Sequence, residues 1–550
     1  MTTGTRSHHI EDGNLAVSLW KAAERRGHLE AFVGREGIVH YPRLAARAAA
    51  IAVALVRRGV ASGDRVAILL ERGPDAAAAL FAAYAVGGIA VMVNDRYRAR
   101  QIEYALAHAG ASVLLTTADM LDRQHRDLST SATVLDVSEI PEAGDFEPIR
   151  RVGPDLAQII YTSGSTGMPK GVVYTHGALQ AGIRAVAGYL GLTHEDRVAS
   201  LLPLSSVYGL NQLLTAVACS ASLVVELSPL AQEIVAALAQ RKATVLAAVP
   251  PLWIQLLASP DLPALHGLRI AQNAGGHLPA DIVRRLRTAL PSTRLYLQYG
   301  MTETFRSTYL PPNEVDRRPD SMGRSIPGAE ILLVDDDGHA VEPGVVGEVV
   351  HRGPTVAAGY WNDPEATART FRPNPLRVPG APDSERVVFT GDLARRDADG
   401  FLHFVGRRDR MIKSMGFRVG PDEVTDALHA SGEIREAVVD AEPDPSRGER
   451  IVAYVVLRED ASLTRLERFC RAELPVFAHP SVYVPRATLA RLPSGKYDME
   501  AIRRGDAPQA QDSRSQDAEA PAAERPAGRP RVIDPRHRAT RAGLHLAGGT

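Results

Sequence analysis

Apolar and polar positions follow two different patterns along the chain, and the change between them divides the sequence. From residue 64 to about residue 300, short runs rich in Val, Ile and Leu alternate with alanine-rich stretches of helical period. Strands that are covered by helices on both faces have continuous apolar runs of this kind. The pattern predicts βα units on largely parallel sheets, with strands at DRVAILL, SVLLTT, LAQIIYT, ASLLPL, SLVVEL, ATVLAAV and TRLYLQY.

A different pattern follows between residues 322 and 410. Short alternating strands with Asp-Gly or Gly turns predict an antiparallel portion at GAEILLVDDDG, VVGEVVHRG, RVVFTGD and GFLHFVGR. Beyond GRRDRMIKSMG, helices near residues 421 to 430 and 462 to 473 accompany the strands EAVVDAE and IVAYVVL. We therefore predict an α/β protein. A large N-terminal domain, residues 1–408, has two βα-type sheets and a small β-barrel-like portion, and a small α+β C-terminal domain covers residues 409–505.

Two segments bear on membranes and order. Residues 76 to 93 are uncharged over a length that could span a bilayer, but Gly87 and Gly88 interrupt them, which predicts a helix, a turn and a buried strand. The polar N-terminus has no export signal, so we expect a cytoplasmic protein without membrane association. Residues 506–550 carry few large apolar side chains, which predicts a disordered tail.

Charge and cysteine content narrow the function. The 63 Lys and Arg residues balance 64 Asp and Glu residues, for a formal charge of -1, so no basic surface for nucleic acid is expected. The two cysteines, Cys219 and Cys470, are far apart and form no metal or redox motif. We expect small molecules or proteins as partners, and a monomer or a homodimer.

The segment YTSGSTGMPKG, Tyr161 to Gly171, has the composition of a phosphate-binding loop. Its glycines allow backbone N–H groups to approach phosphate oxygens, its hydroxyls add donors and its lysine adds charge. Lys170 is separated from Gly167 by Met-Pro and is followed by Gly, so the segment is not a Walker loop.

TSGSTGMPKG resembles the phosphate loop of the adenylate-forming (AMP-binding) superfamily, which includes acyl-CoA synthetases, peptide-synthetase adenylation domains and firefly luciferase. The family's later motifs follow in order at YGMTET, FTGD, GRRDRMIKSMGFRV and LARLPSGKYD. The run TETFRSTYLPPNEVDRRPDSMG, with LPLSSVYGLNQ and AAVPPLW, is most similar to the branch that includes exosortase-associated acyl-CoA ligases. The resemblance implies an ATP-dependent, Mg²⁺-dependent ligase of fatty acid or secondary metabolism. It would form an acyl-adenylate and pass the acyl group to the thiol of coenzyme A or of a separate acyl carrier protein.

The resemblance also implies the nucleotide and metal residues. Glu303 would bind Mg²⁺, with Thr302 beside it on the phosphate, and Lys496 would neutralise the reacting carboxylate and α-phosphate. Asp392 would accept from the ribose hydroxyls, and Arg407 would be a further nucleotide contact. The remaining nucleotide-binding candidates are Thr162, Ser163, Gly164, Ser165, Thr166, Gly167, Lys170, Gly275, Tyr299 and Gly300.

A mobile C-terminal domain is a further implication of the resemblance. In the family the small domain rotates about a hinge, here Asp409, between adenylation and thiol transfer. Gly416 would keep the thiol tunnel open, and Lys413 lies near it in the sequence.

The acid pocket is expected at Ser206, Val207, Asn211, Gly276 and Arg306. No Asp stands in LPLSSVYGLNQ to pair an α-ammonium group, which disfavours an ordinary amino acid and favours another small carboxylic acid. Arg306 either meets the acid or forms a structural salt bridge. The alternatives that remain are an amino-acid adenylating enzyme, a luciferase-like oxidase and a non-catalytic nucleotide-binding homologue.

Overall fold

The helices and strands come from a computed structural model of the 550-residue chain. It describes residues 13–25, 28–95, 97, 99–124, 128–162, 169–380, 385–408, 410–414, 417–444, 448–492 and 495–506. None of the helices in these ranges is long and apolar enough to cross a membrane.

The helices of the described residues fall mostly in the alanine-rich stretches. They are α1 Val17–Arg25, α2 Tyr41–Arg57, α3 Pro74–Ala85, α4 Ala99–Ala109, α5 Ala118–Gln124, α6 His176–Leu190, α7 Val207–Cys219, α8 Ala231–Gln240, α9 Pro250–Leu257, α10 Ala280–Ala289, α11 Pro364–Thr370, α12 Pro421–Ala430, α13 Leu463–Glu473 and α14 Met499–Arg504.

The strands are short in the first three hundred residues and longer afterwards. They are β1 Glu30–Gly34, β2 Gly37–His40, β3 Arg65–Ile68, β4 Ile89–Met92, β5 Ala111–Thr116, β6 Thr133–Asp136, β7 Leu156–Thr162, β8 Lys170–Thr175, β9 Arg197–Ser200, β10 Ser222–Val225, β11 Val245–Ala248, β12 Ile270–Asn273, β13 Arg294–Tyr299, β14 Thr308–Leu310, β15 Ser321–Ser325, β16 Glu330–Val334, β17 Val346–Arg352, β18 Gly359–Tyr360, β19 Phe371–Pro373, β20 Arg386–Arg396, β21 Leu402–Arg407, β22 Ile412–Ser414, β23 Phe417–Val419, β24 Ile434–Asp444, β25 Gly448–Leu457 and β26 Val482–Pro485.

Three sheets organise these strands. The first has the order β18-β8-β7-β4-β3-β5-β6, and the second has β16-β17-β20-β21-β15-β14-β13-β12-β11-β9-β10-β1-β2 with β19 beside β20. The third has β23-β22-β25-β24 with β26 beside β25. The centres of the first two sheets are parallel, as the continuous apolar runs predict. The antiparallel portion is also present, and it continues the second sheet through β14 and β15.

Local sequence signals explain several element boundaries. Thr175 caps α6, since its hydroxyl accepts from the backbone N–H of Ala178 at 3.1 Å. Pro74 occupies the first turn of α3, where a missing N–H costs nothing. The strand predicted at ASLLPL is shorter than expected, because β9 ends at Ser200, before Pro203. Helix α3 and strand β4 confirm the interpretation of residues 76 to 93.

The elements after residue 410 form their own sheet and two apolar clusters, one around Val424, Leu466 and Cys470 and the other around Tyr454 and Ile502. Helices α12 and α13 lie where the sequence predicts them. All described residues nevertheless belong to one unit that extends to residue 508. The separation at Asp409 into an independently moving domain therefore stays a prediction, and Asp409 lies outside the described residues, as does nearly all of the tail.

Candidate active site

The predicted phosphate loop connects two antiparallel neighbours, β7 and β8. Thr162 pairs with Lys170 in the register of this hairpin. The loop residues Ser163, Gly164, Ser165, Thr166 and Gly167 lie outside the described residues. At the far side of the loop, the Lys170 ammonium lies 5.3 Å from the centre of the Tyr360 ring on β18. The hairpin thus fixes both ends of the loop.

Tyr360 also contacts the predicted metal ligand. Its hydroxyl donates a 2.6 Å hydrogen bond to Oε1 of Glu303, and Glu303 is buried. The backbone carbonyl of Thr302 accepts a 2.6 Å hydrogen bond from the Tyr174 hydroxyl. Burial raises the pKa of Tyr360, and the carboxylate of Glu303 adds to that effect. A hydroxyl that holds its proton remains a donor, so Tyr360 fixes the orientation of the carboxylate.

Asp392 lies inside β20 and faces two cross-strand partners. Its Oδ2 accepts a 2.5 Å hydrogen bond from the Tyr299 hydroxyl at the end of β13. Its Oδ1 lies 3.2 Å from Nη1 of Arg407, the residue opposite in β21. The structure therefore brings together Tyr299, Asp392 and Arg407, which the sequence assigns to the nucleotide.

Lys496 lies on a tight turn of the C-terminal region. The turn is closed by the backbone hydrogen bond from Leu492 N–H to the Lys496 carbonyl, at 2.7 Å, and Gly495 adopts a φ of +83°. A Cβ on Gly275 would lie 3.8 Å from Cε of Lys496. The turn therefore places Lys496 against the loop that follows β12, which carries the nucleotide-binding candidate Gly275.

Charged residues near Lys496 affect the pKa of its ammonium group. Desolvation lowers its pKa most, and the positive charges of Arg410 and Arg407 lower it further, while Glu303 and Asp392 act in the opposite direction. Lys496 as a whole is exposed to solvent, although many protein atoms surround its side chain. Residues from the body and from the C-terminal turn thus converge on one charged centre.

A second contact joins the same two regions. Nε2 of His277, in the loop after β12, lies 2.9 Å from Oδ1 of Asp426 on α12. Although desolvation opposes it, the carboxylates of Asp426, Asp422 and Asp320 raise the pKa of His277 to about 9. Neither His277 nor Arg410 is among the candidates from the sequence, because each needs a neighbour that is distant in the chain.

The start of α7 carries three of the residues predicted to line the acid pocket, Ser206, Val207 and Asn211. Ser206 caps this helix through its hydroxyl, which accepts from Gly209 N–H at 3.1 Å, so its role is at least partly structural. Val207 and Asn211 follow on the helix, and the side chain of Asn273 donates to the Gly276 carbonyl at 3.3 Å. Gly300 lies close to Arg306, since a Cβ there would be 3.1 Å from its Cα.

Arg306 lies at this pocket without a salt bridge. Its guanidinium carbon is 4.8 Å from the centre of the Tyr208 ring, and the residue is 3% exposed. Within the described ranges no carboxylate pairs with it, so the structural salt bridge is absent from that part of the chain.

The donor set suits a nucleotide with magnesium. A buried carboxylate, hydroxyls and clustered cations fit a hard divalent ion and phosphate oxygens. Glu303 would hold the ion, and Thr302, Lys170 and Lys496 would meet the phosphates. Gly416 and the side chain of Lys413, the candidates for the thiol step, lie outside what the structure describes.

Comparison with known proteins identifies the family. The AMP-binding enzyme family matches residues 19–361, and the AMP-binding enzyme C-terminal domain matches residues 423–496. The chain belongs to the AMP-binding enzyme family. It is therefore an AMP-forming ligase, which confirms the predicted family, fold class and reaction class, with formation of an acyl-adenylate as its first step.

Two curated relatives illustrate the range of the family. Novobiocin biosynthesis protein H from Streptomyces niveus is 32% identical over 90% of this chain and 82% of that protein. A dimodular nonribosomal peptide synthase from Bacillus subtilis is 31% identical over 84% of this chain. The chain spans only 20% of the length of that synthase.

Solved structures of adenylate-forming ligases superpose on most of the chain. ATP-bound MatB from Rhodopseudomonas palustris has a TM-score of 0.79 and 27% identity, and the match covers 90% of this chain and 98% of MatB. The o-succinylbenzoate CoA synthetase of Bacillus subtilis with its acyl-adenylate has a TM-score of 0.75 and 26% identity, covering 88% and 97%. Another structure of that synthetase contains ATP and a magnesium ion, with 26% identity, a TM-score of 0.75 and coverage of 87% and 98%.

Proposed function

We propose that this enzyme is an acid:thiol ligase that activates a small carboxylic acid with ATP and Mg²⁺ and transfers the acyl group to coenzyme A or a carrier-protein phosphopantetheine. The observation that supports it best is the position of Lys496 against the loop of Gly275, where the charges of Glu303, Asp392 and Arg407 are near enough to affect its pKa. Two half-reactions follow from this assignment.

In the first half-reaction, a carboxylate oxygen attacks the α-phosphorus of ATP, and pyrophosphate leaves. Lys496 neutralises the charge that develops between the carboxylate and the α-phosphate, because an ammonium on a short turn is a movable point charge. Glu303, oriented by Tyr360, would hold Mg²⁺, which supplies charge neutralisation at the phosphates. Asp392 and Arg407 would fix the ribose.

In the second half-reaction, a thiolate attacks the acyl carbon, and AMP leaves with the bridging oxygen as the bond between the acyl carbon and that oxygen breaks. Asp409 would act as the hinge that exchanges the Lys496 face of the small domain for the face that carries Gly416. The charged contact between His277 and Asp426 belongs to the arrangement with Lys496 in the cleft, so it would break during this exchange.

Acid-dependent exchange between ATP and pyrophosphate tests the first half-reaction directly. We expect exchange with at least one small acid, and Lys496→Ala should abolish it while Lys21→Ala, which changes an exposed lysine on α1, leaves it intact. Nucleotide binding without exchange for any acid would instead identify a non-catalytic homologue.

The acceptor is assigned by offering the preformed adenylate to three acceptors in parallel: coenzyme A, a phosphopantetheinylated carrier protein and a free amine. We expect release of AMP with a thiol. If AMP is released with the amine but with neither thiol, the enzyme does not transfer the acyl group to a thiol and the proposal is wrong.

A further inference from the structure

The cation of Arg306 is buried beside neutral side chains. The residue is 3% exposed, and its guanidinium carbon lies 4.8 Å from the centre of the Tyr208 ring. Burial raises the pKa of the nearby Tyr189, and the charge of Arg306 partly offsets that effect. The Nε and Nη2 atoms of Arg306 have no hydrogen-bond partner among the described residues. An isolated buried charge is costly, so proteins normally pair such a group.

The backbone holds Arg306 in this position by an unusual turn. Phe305 adopts a φ of +60°, a left-handed conformation that a bulky residue rarely takes. Its ring fills the space beside Gly182 on α6, where a Cβ would come within 2.2 Å of the ring. Because Phe305 is anchored in this way, the next side chain is directed inward.

Uncharged polar side chains extend from Arg306 across the second sheet to α7. Gln298 donates to the Tyr189 hydroxyl at 2.7 Å and to Gln272 at 3.2 Å, and Gln272 donates to Gln212 at 3.4 Å. Gln212 in turn lies 3.5 Å from the side-chain oxygen of Asn211.

Two members of this chain also have unsatisfied atoms. Nδ2 of Asn211 and Oε1 of Gln298 are buried without a partner among the described residues. Buried polar atoms are normally satisfied, so their concentration around one cation indicates a site for a polar ligand.

We propose that this pocket selects a carboxylic acid that carries a second carboxylate, and that Arg306 binds this distal group. The inference rests on the proposed function, since it names the substrate class of the same site. A dicarboxylic acid would place one carboxylate near Lys496 and the other against Arg306. The pocket would then be neutral, and the amide groups of the glutamines and of Asn211 would complete the hydrogen bonds.

The two cations have different neighbours. Lys496 belongs to the cluster of Glu303, Asp392 and Arg407, whereas Arg306 contacts Tyr208 and Tyr189 on α7 and α6. The reacting carboxylate therefore has its own cation, and Arg306 remains for a different anion.

Matched acid pairs test the proposal with the unmodified enzyme. The pairs are butanoate with butanedioate, hexanoate with hexanedioate, and benzoate with benzene-1,4-dicarboxylate, each measured by ATP–pyrophosphate exchange at pH 7.5. For at least one pair, kcat/KM should be about 30-fold or more higher for the diacid than for the monoacid. A carboxylate buried against the guanidinium of Arg306 improves binding by a factor of this size. Monoacids that react equally well or better would overturn the inference while leaving the proposed function intact. Exchange with no acid would overturn both.

Substitution of Arg306 tests the residue itself. Arg306→Gln should remove the preference for the diacid, measured as the ratio of kcat/KM for the diacid to kcat/KM for the monoacid, while Arg306→Lys should keep part of the preference. Arg47→Gln is the control, because Arg47 is also buried but is paired with Asp75 at 2.9 Å. It should lower stability without changing the diacid-to-monoacid ratio. Equal loss for diacid and monoacid in Arg306→Gln would place Arg306 at the reacting carboxylate and overturn the proposal.

Discussion

Nε2 of His277 lies 2.9 Å from Oδ1 and 3.0 Å from Oδ2 of Asp426, so an imidazolium in the body holds a carboxylate of the C-terminal region. The pair is partly shielded, with side-chain exposures of 17% and 34%. Its strength depends on the proton of His277, since a neutral imidazole makes a weaker bond to a carboxylate.

The pair should make stability depend on pH in the alkaline range. The pKa of His277 rises from 6.5 to about 9 on folding, so the stabilisation is complete below about pH 6.5 and is lost as pH rises through about 9. Its size is at most about 3 kcal/mol. Urea unfolding of His277→Gln should show a smaller loss between pH 6.5 and 9.5 than the unmodified enzyme.

His403 provides the control for that measurement. Its pKa is also raised, first by a hydrogen bond to Asp320 and then by Asp397, but all three residues lie in the body. His403→Gln should alter the pH dependence of stability. It should not make the C-terminal region easier to remove by limited proteolysis, which is the measure of its attachment to the body. If His277→Gln leaves that attachment unchanged at pH 7, the contact does not hold the two regions together.

Lys496→Ala should suppress adenylation and leave transfer from a preformed adenylate largely intact. The reason is that, in the proposed mechanism, Lys496 would meet the phosphates, whereas the thiol would approach the other face of the small domain. Since the pKa of Lys496 is lowered, the alkaline decline of adenylation should begin at a lower pH than an ordinary lysine would give, and Lys496→Arg should move that decline upward. Rapid-quench assays of the separate half-reactions measure both effects. Equal loss in both would contradict the division.

Tyr360→Phe should raise the Mg²⁺ concentration needed for half-maximal adenylation and lower kcat/KM by about tenfold or more. The change deletes the donor to Glu303 but keeps the ring beside Lys170, and a hydrogen bond to a charged group contributes about 1.5–3 kcal/mol. Tyr41→Phe is the matched control, because its buried hydroxyl donates to the Ala221 carbonyl at 2.7 Å and neither residue is a site candidate. An unchanged Mg²⁺ dependence in Tyr360→Phe would mean that Glu303 needs no such orientation.

Gly182→Ala should destabilise the enzyme by about 1–3 kcal/mol, because the new methyl group would collide with the Phe305 ring. Gly188→Ala, on the same helix and with nothing within 4 Å, should be stabilising by about 0.5–1 kcal/mol. Urea unfolding measures both changes. Similar effects of the two substitutions would show that Phe305 can move freely.

Deletion of residues 506 to 550 should leave turnover intact, since a tail with few large apolar side chains adds no core. Deletion from Met499 onward should lower both the specific activity and the thermal stability, because it also removes α14 and its buried Ile502. Specific activity and thermal unfolding of both truncations give the answer. A large fall in activity of a folded enzyme that ends at residue 505 would assign the tail a role.

The sequence predicted the parts of this enzyme whose signals are local. Thr162 and Lys170 flank one loop, and the strand on each side is apparent from its apolar run. Lys496 follows from a short motif next to Gly495. The parallel sheets also follow, because buried strands require continuous apolar residues whatever their neighbours are.

The remaining features depend on the order of strands in the sheet. Tyr360 reaches Glu303 across 57 residues of sequence, and a single tyrosine carries no local signal for that contact. In the sequence, Gln272 and Gln298 are isolated polar residues in otherwise apolar strands. Their contact with each other becomes apparent only when β12 pairs with β13. Gly182 likewise has no visible purpose before Phe305 is seen beside it.

Tyr360 touches Lys170 through its ring and Glu303 through its hydroxyl, whereas the polar chain from Arg306 to Asn211 shares no residue with either contact. Under the proposed assignment, the residues that select the acid could change without altering the contacts of Lys170 and Glu303. Descendants could diversify along α7 and the ends of β12 and β13 while the ATP-handling residues stay unaltered, and a designer seeking new products should begin there.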